Sequence, residues 1–221
     1  MGGIGGVYTA DRAAALSGVP RSTVYYWAKQ RYLVPSVSAQ STRLWSFSDL
    51  LGLRVIYWLR QPKKKYDRDV PATSMPKVRH ALGELRRLGL DLVEGARPSV
   101  AVTLGGEIVI DAQAAPLQLV NGQYLHREAI DLLGVFDGLE GTHGPDLFRP
   151  RPLLRIVPRK LGGAPHLEGT RLPTIAVRAL EQRGFTFEQM ADLYPFASRE
   201  ALMESIDLEL QLEKNLLPRA A

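Results

Sequence analysis

Tyr8-Thr9-Ala10-Asp11-Arg12-Ala13-Ala14-Ala15-Leu16-Ser17-Gly18-Val19-Pro20-Arg21-Ser22-Thr23-Val24-Tyr25-Tyr26-Trp27 is the stretch whose reading decides the fold. The Thr9 hydroxyl can accept an orphan N–H of a first helical turn, so a short helix is expected to start after it. Small residues at Ala13 and Ala14 let a second helix cross close by. Gly18 follows Leu16-Ser17, where the chain has to leave the helix through a left-handed residue, and Val19 points back into the core. Proline is tolerated at a helix entrance, so a second helix begins near Pro20-Arg21. Val24 and Trp27, three residues apart, face inward, while Arg21, Ser22, Tyr25 and Lys29 lie on the outer face. This layout predicts a helix-turn-helix whose second helix enters a DNA major groove by its N-terminal end. The same spacing also fits a helical hairpin with no DNA role.

The residues that follow extend the pattern. Leu33-Val34-Pro35 ends the pair of helices, Ser36 to Thr42 is a polar loop, and Arg43-Leu44-Trp45-Ser46-Phe47 is a short extended segment. Ser48-Asp49-Leu50-Leu51 then opens a helix with Leu50, Leu53, Ile56 and Leu59 on one stripe. On Tyr8-Thr9, Gly18-Val19, Ser22-Thr23, Tyr26, Leu33 with Pro35, Arg43 with Trp45, and Ser48-Asp49-Leu50, the stretch resembles the winged helix-turn-helix of the MerR family. The resemblance implies that Arg21, Ser22 and Tyr25 face bases or phosphates, that Tyr26, Lys29 and the wing residue Arg43 hold the DNA backbone, and that Thr23 is a further DNA-binding position. Two positions depart from that family: Tyr25 stands where it usually has Arg, and Arg31 where it usually has Gly.

Charge supports a nucleic-acid partner. The 221-residue chain carries a net +5, and its positive charge is concentrated at one end. Residues 1–70 hold 11 basic and 4 acidic side chains, residues 71–150 hold 7 and 10, and residues 151–221 hold 10 and 9. The basic excess therefore coincides with the motif, as expected of a phosphate-binding module. There is no cysteine, hence no disulfide and no thiolate metal site. No apolar run of about 18 residues offers a transmembrane helix, and Met1-Gly2-Gly3-Ile4-Gly5-Gly6 lacks the features of a secretion signal. A cytoplasmic protein without a membrane partner is expected.

The middle of the chain is a different kind of sequence. Residues 60–75, with Pro62, Pro71 and the run Lys63-Lys64-Lys65, are expected to be a linker. Met75 to Gly89 reads as a helix with Val78, Leu82, Leu85 and Leu88 on its apolar stripe. Ser99 to Leu104 and Glu107 to Ile110, around Gly105-Gly106, read as a hairpin. Leu117 to Val120 and Gln123 to Leu125, around Asn121-Gly122, read as another. Arg127 to Leu133 fits a short helix, and Gly134 to Pro152 a second linker.

The last seventy residues read as a separate unit: an irregular arm from Pro158 to Pro173, then three helices. The first starts at Thr174 and ends at Gly184. The second opens at Thr186, with Gln189 completing a capping box. The third opens at Ser198 and carries Leu202, Ile206, Leu208, Leu210, Leu212 and Leu216. Glu200, Glu204, Asp207, Glu209 and Glu213 give this helix an acidic surface, expected to face solvent or a partner and wrong for a phosphate lattice. On Gly162-Gly163, Pro165, Gly169-Thr170-Arg171 with Pro173, Gly184-Phe185-Thr186 with Glu188, and Tyr194-Pro195, the segment resembles the small antitoxin-associated domain found beside PIN-type ribonuclease toxins. Ala164 departs from the basic residue usual there. Together the two resemblances imply an antitoxin of the VapB type, which binds a PIN-domain ribonuclease and represses its own operon. Arg171, Glu204, Leu208 and Leu212 are then candidates for the toxin-binding or dimer surface.

Nothing in the sequence supports catalysis. His80, His126, His143 and His166 stand in different segments, and no carboxylate cluster offers a metal site. No cofactor and no metal are expected. The expected fold is mainly α with a small β region (α+β): a winged helix-turn-helix domain over 1–62, a central region of linker, helix and β-hairpins over 63–150, and a three-helix, helix-turn-helix-like antitoxin-type domain over 151–221. The expected partners are double-stranded operator DNA, a PIN-type toxin and a second copy in a homodimer. The alternative is a MerR-like regulator that answers an organic ligand bound near the central strands, with no toxin partner.

Overall fold

A computed structural model of the chain describes residues 5–40, 42–65, 68–87 and 144–218, together with strand segments at 93–94, 97–98, 100–103, 107–110, 118–119 and 129–130. The fold is mainly α with a small β content, as expected. The elements in order are β1 (Tyr8–Thr9), α1 (Ala10–Ser17), α2 (Arg21–Lys29), β2 (Leu44–Trp45), α3 (Phe47–Leu59), β3 (Lys63–Lys65), β4 (Arg68–Val70), α4 (Met75–Arg87), β5 (Val93–Glu94), β6 (Arg97–Pro98), β7 (Val100–Thr103), β8 (Ile108–Ile110), β9 (Gln118–Leu119), β10 (Ala129–Ile130), β11 (Leu154–Arg155), β12 (His166–Leu167), α5 (Thr174–Gln182), α6 (Phe187–Leu193) and α7 (Arg199–Asn215).

Two compact units divide the chain. The first joins residues 1–50 to residues 143–221, and the second spans 51–142. The sequence suggested that the first and third segments are separate domains; the structure packs them against each other. The reason lies in α1. Ala13, Ala14, Ala15 and Leu16 are all buried, and both α2 and α7 pack on α1. Asn215 Nδ2 donates to the Ala15 carbonyl at 2.9 Å. Tyr8 Oη donates to the Gly163 carbonyl at 2.8 Å, and the Val7 N–H donates to Gly162 O at 2.8 Å. Gly163 has φ 82°, and a Cβ there would collide with the Tyr8 hydroxyl. The close approach of the two segments therefore needs glycine at this position.

Local signals explain the helix ends of the first unit. Thr9 Oγ1 accepts the Arg12 N–H at 3.2 Å. Gly18 has φ 72° and donates to Ala14 O at 3.0 Å, the left-handed cap that the sequence predicts. α3 opens at Phe47, slightly earlier than expected, because Ser46 and Asp49 cap each other: Asp49 N–H donates to Ser46 Oγ at 3.1 Å, and Ser46 N–H to Asp49 Oδ2 at 2.7 Å. The Thr186–Gln189 capping box of α6 is present with both bonds. β11 and β12 pair Leu154 with Leu167 and Arg155 with His166, so the arm expected to be irregular supplies one strand of a small ladder whose other strand precedes it.

In the second unit, the expected stripe of α3 continues, with Leu53, Ile56 and Leu59 buried. The expected linker over 60–75 instead contains an antiparallel ladder, Lys63↔Val70 and Lys65↔Arg68. α4 buries Val78, Ala81 and Leu85; Ala81 takes the place that the sequence reading gave to the half-buried Leu82. Strands follow in the order β10-β7-β8-β9. The expected first hairpin is there, with Val100↔Ile110 and Val102↔Ile108. β9 pairs with β8. Ala129 and Ile130 are in a strand on β7 where a short helix was expected. The turn glycines Gly105-Gly106 and Asn121-Gly122, with Leu88, His126, Asp131, Asp137, His143 and most of the expected second linker, lie outside the described residues. The described end of that linker is no tether, since Leu147 is fully buried.

Candidate nucleic-acid interface

The outer face of α2 presents the side chains that the sequence singles out. Arg21, Ser22, Tyr25, Tyr26 and Lys29 are exposed and Thr23 is half-buried, while Val24 and Trp27 are buried beneath them. The period of 3.6 accounts for the split: positions 21, 25 and 29 recur once per turn on one side.

The wing is held by a buried carboxylate. Asp49 Oδ2 accepts from the Ser36 N–H at 2.9 Å, from Ser36 Oγ at 2.8 Å and from the Ser46 N–H at 2.7 Å. These bonds tie the start of the loop, its end and the first turn of α3 to one side chain. β2 pairs with β1 in the register Tyr8↔Trp45 and Thr9↔Leu44, and Trp45 is completely buried. Between the wing, α1 and α2 lies a cleft of about 470 Å³ lined by Thr9, Ala10, Tyr25, Gln40, Thr42 and Arg43. Arg43 is half-buried in its wall. Arg43 and Tyr25, expected on DNA grounds, thus line one concavity. Gln40 and Thr42 join them; the sequence reading had passed over both as part of a polar loop.

Electrostatics on this face are set by one residue that sequence reasoning missed. Asp11, in the first turn of α1, places Oδ1 2.7 Å from Arg21 Nε. Its Oδ1 also accepts from Tyr25 Oη at 3.4 Å, and the Arg21 guanidinium carbon lies 5.6 Å from the Tyr25 ring centre. Hydrogen bonding to Tyr25, with the attraction of Asp11, pushes the Arg21 pKa further up. Tyr26 is held differently: a hydrogen bond with Tyr32 raises its phenol pKa, and the two rings meet edge to face at 6.0 Å. Only the helix-turn-helix crossing brings position 11 to positions 21 and 25, so no spacing rule would have paired them.

The carboxy-terminal candidates fare differently. Leu208 and Leu212 are fully buried within the first unit, so they form its core and offer no surface to a toxin or a second copy. Glu204 is half-buried and accepts the Leu153 N–H at 2.8 Å. Arg171 is exposed. The acidic surface expected of α7 is largely matched from within. Glu209, 3% exposed, is paired with Arg12 at 2.6 and 2.8 Å and accepts the Thr174 hydroxyl. Asp207 meets Arg151 at 2.8 Å, and Glu213 meets Arg178 at 3.0 Å. The Arg178 hydrogen bond holds the Glu213 carboxyl below its ordinary range. Among the described residues no group of His, Asp and Glu is placed to hold a metal ion, and no helix is long and apolar enough to cross a membrane.

With this geometry in place, comparison with known families finds two separate matches. Residues 8–65 match the MerR HTH family of regulatory proteins. The amino-terminal module is a MerR-type helix-turn-helix. Residues 155–207 match a second family, DUF433, described as a protein of unknown function. No curated protein and no solved structure matches the chain. Residues 8–50 of the MerR-type match and the whole DUF433 segment lie together in the first unit.

Proposed function

We propose that this chain is a cytoplasmic DNA-binding transcription regulator that represses its own operon, and that it acts as the antitoxin of a PIN-type ribonuclease. The observation that carries the DNA reading is the cleft between α1, α2 and the wing, lined by Tyr25 and Arg43, with the exposed Arg21 set against the Tyr25 ring. Arg43 in the lining, with Lys29 exposed on α2, suits a sugar–phosphate backbone, while the exposed N-terminal end of α2 suits base edges. A homodimer on a pseudo-palindromic site fits a module with a single recognition helix. Binding, with no catalytic step, is the whole activity in this reading.

The antitoxin part is supported by the resemblance over Gly162 to Pro195, the segment that also matches DUF433. Its surface must be other than Leu208 and Leu212. Arg171, exposed just beyond the left-handed Gly169 (φ 73°), remains available to a partner.

Co-expression with the product of the neighbouring reading frame tests the proposal. A complex that co-purifies and suppresses RNA cleavage by that neighbour is the expected result. Binding to the upstream DNA without any complex would leave the ligand-responsive regulator as the reading.

A further inference from the structure

We propose that Asp11 is a specificity-determining residue of the DNA-facing surface: its carboxylate fixes the Arg21 guanidinium and Tyr25 phenol for base recognition and weakens binding to DNA of any other sequence. This rests on the DNA-binding reading above.

The geometry is unusual for a phosphate-binding face. Asp11 reaches across the helix crossing to Arg21 Nε at 2.7 Å and to Tyr25 Oη at 3.4 Å. The Arg21 and Asp11 side chains remain 54% and 42% exposed, and an ion pair that open to solvent contributes little to folding. A carboxylate in the first turn of α1 is favourable for that helix, but this gain needs no contact with α2. The contact has a clearer consequence at the interface. A free arginine on a long flexible stem swings to whichever phosphate is nearest. Held by its Nε edge and set against the Tyr25 ring, Arg21 keeps its terminal N–H groups as a fixed fork. Such a fork loses less freedom on pairing with the O6 and N7 acceptors of a guanine. At a wrong base the fork is unmatched, and Asp11 adds a negative charge close to the phosphate lattice. Asp11 therefore lowers affinity in general and raises the ratio between right and wrong sequences.

The test begins with the full-length protein and a pool of random-sequence duplexes, from which bound DNA is enriched. The enriched duplex and a scrambled one are then titrated against wild type, Asp11→Ala and Asp11→Asn at several salt concentrations. Wild type should prefer the enriched duplex. Asp11→Ala should bind the scrambled duplex more tightly and lose roughly ten-fold or more in discrimination, the size set by one bidentate base contact. Its salt dependence should steepen by about 0.9, since Arg21 is freed for a phosphate. Asp11→Asn keeps an acceptor for Arg21 Nε without the charge. It should also bind the scrambled duplex more tightly, yet retain more discrimination than Asp11→Ala, and it serves if Asp11→Ala does not fold. An unchanged ratio and an unchanged slope in both variants would overturn the role of Asp11 alone. A pool that yields no enriched sequence, with no binding by wild type at low salt, would overturn the DNA-binding reading itself and this inference with it.

Discussion

Arg31 sits at φ 56°, in the left-handed region, where the chain turns from α2 toward the wing. Glycine is usual at this position in the family that the module resembles, and the backbone shows why: the bend is kept although the side chain disfavours it. A left-handed L-residue costs about 1–2 kcal/mol, and glycine gives back about half of that through its freer unfolded chain. Arg31→Gly should therefore stabilise the protein by under about 1 kcal/mol, a rise of roughly 1–3 °C in melting temperature. Thermal unfolding by circular dichroism checks this, and a fall would show that the Arg31 side chain has a stabilising contact. Tyr8 is the opposite case, a residue whose side chain the fold cannot spare. Burial drives its phenol pKa far above the ordinary value, against the opposing effect of nearby Arg12. Its hydroxyl satisfies the Gly163 carbonyl. Tyr8→Phe leaves that carbonyl unmatched in a buried joint and should cost about 1–2 kcal/mol in urea unfolding, with a cost near zero arguing that solvent reaches the site. The sequence marked Tyr8 as the start of a motif. Nothing in its local pattern pointed to position 163.

At the scale of elements, α1 and α2 were legible because their evidence is local: the cap glycine that ends α1, and the entrance proline and 3.6-residue period of α2. α7 was misread for the converse reason. Its acidic residues look like a solvated surface in sequence, and their basic partners Arg12, Arg151 and Arg178 lie on other elements. The buried Arg12–Glu209 pair is where α1 and α7 hold each other. Removing one member of such a pair strands the other charge, which typically costs about 3–5 kcal/mol. Arg12 keeps 23% of its side-chain surface, so water can relieve part of that, and Arg12→Ala should cost about 2–3 kcal/mol. In a double-mutant cycle with Glu209→Ala the two losses should fall well short of adding; simple additivity would mean that the pair is not coupled. The wing offers a prediction on binding. Arg43 lines the cleft, and Arg43→Ala should weaken DNA binding and flatten its salt slope by roughly 0.9, the loss of one phosphate contact. Arg21→Ala should also weaken binding, mainly by narrowing the preference for the enriched sequence. Unchanged affinity and slope in Arg43→Ala would remove the wing from the interface.

For the whole molecule, the sequence divided the chain by family boundary and the structure divides it by contact. A boundary near residue 62 follows from the change in composition there, whereas the joint between residues 1–50 and 143–221 depends on buried surface that only the fold brings together. The consequence concerns the independence of the MerR-type module. Its α1 buries Ala13, Ala14, Ala15 and Leu16 and packs on α7 as well as on α2. It also loses the Asn215 bond to Ala15 and the Glu209 partner of Arg12 if residues 151–221 are removed. A chain of about 60 residues is marginal even with its core intact. Each large side chain withdrawn from that core, Leu208 and Leu212 among them, takes away about 1.5–3 kcal/mol of burial. Residues 1–62 produced alone should therefore show no cooperative urea transition at 25 °C and should bind DNA far more weakly than the full chain. Adding residues 143–221 as a separate polypeptide should restore both, because the joint is made of side-chain and backbone contacts that need no covalent link. A sharp transition for residues 1–62 with the midpoint of the full chain would mean that α7 is dispensable to the module, and that the two family segments merely touch.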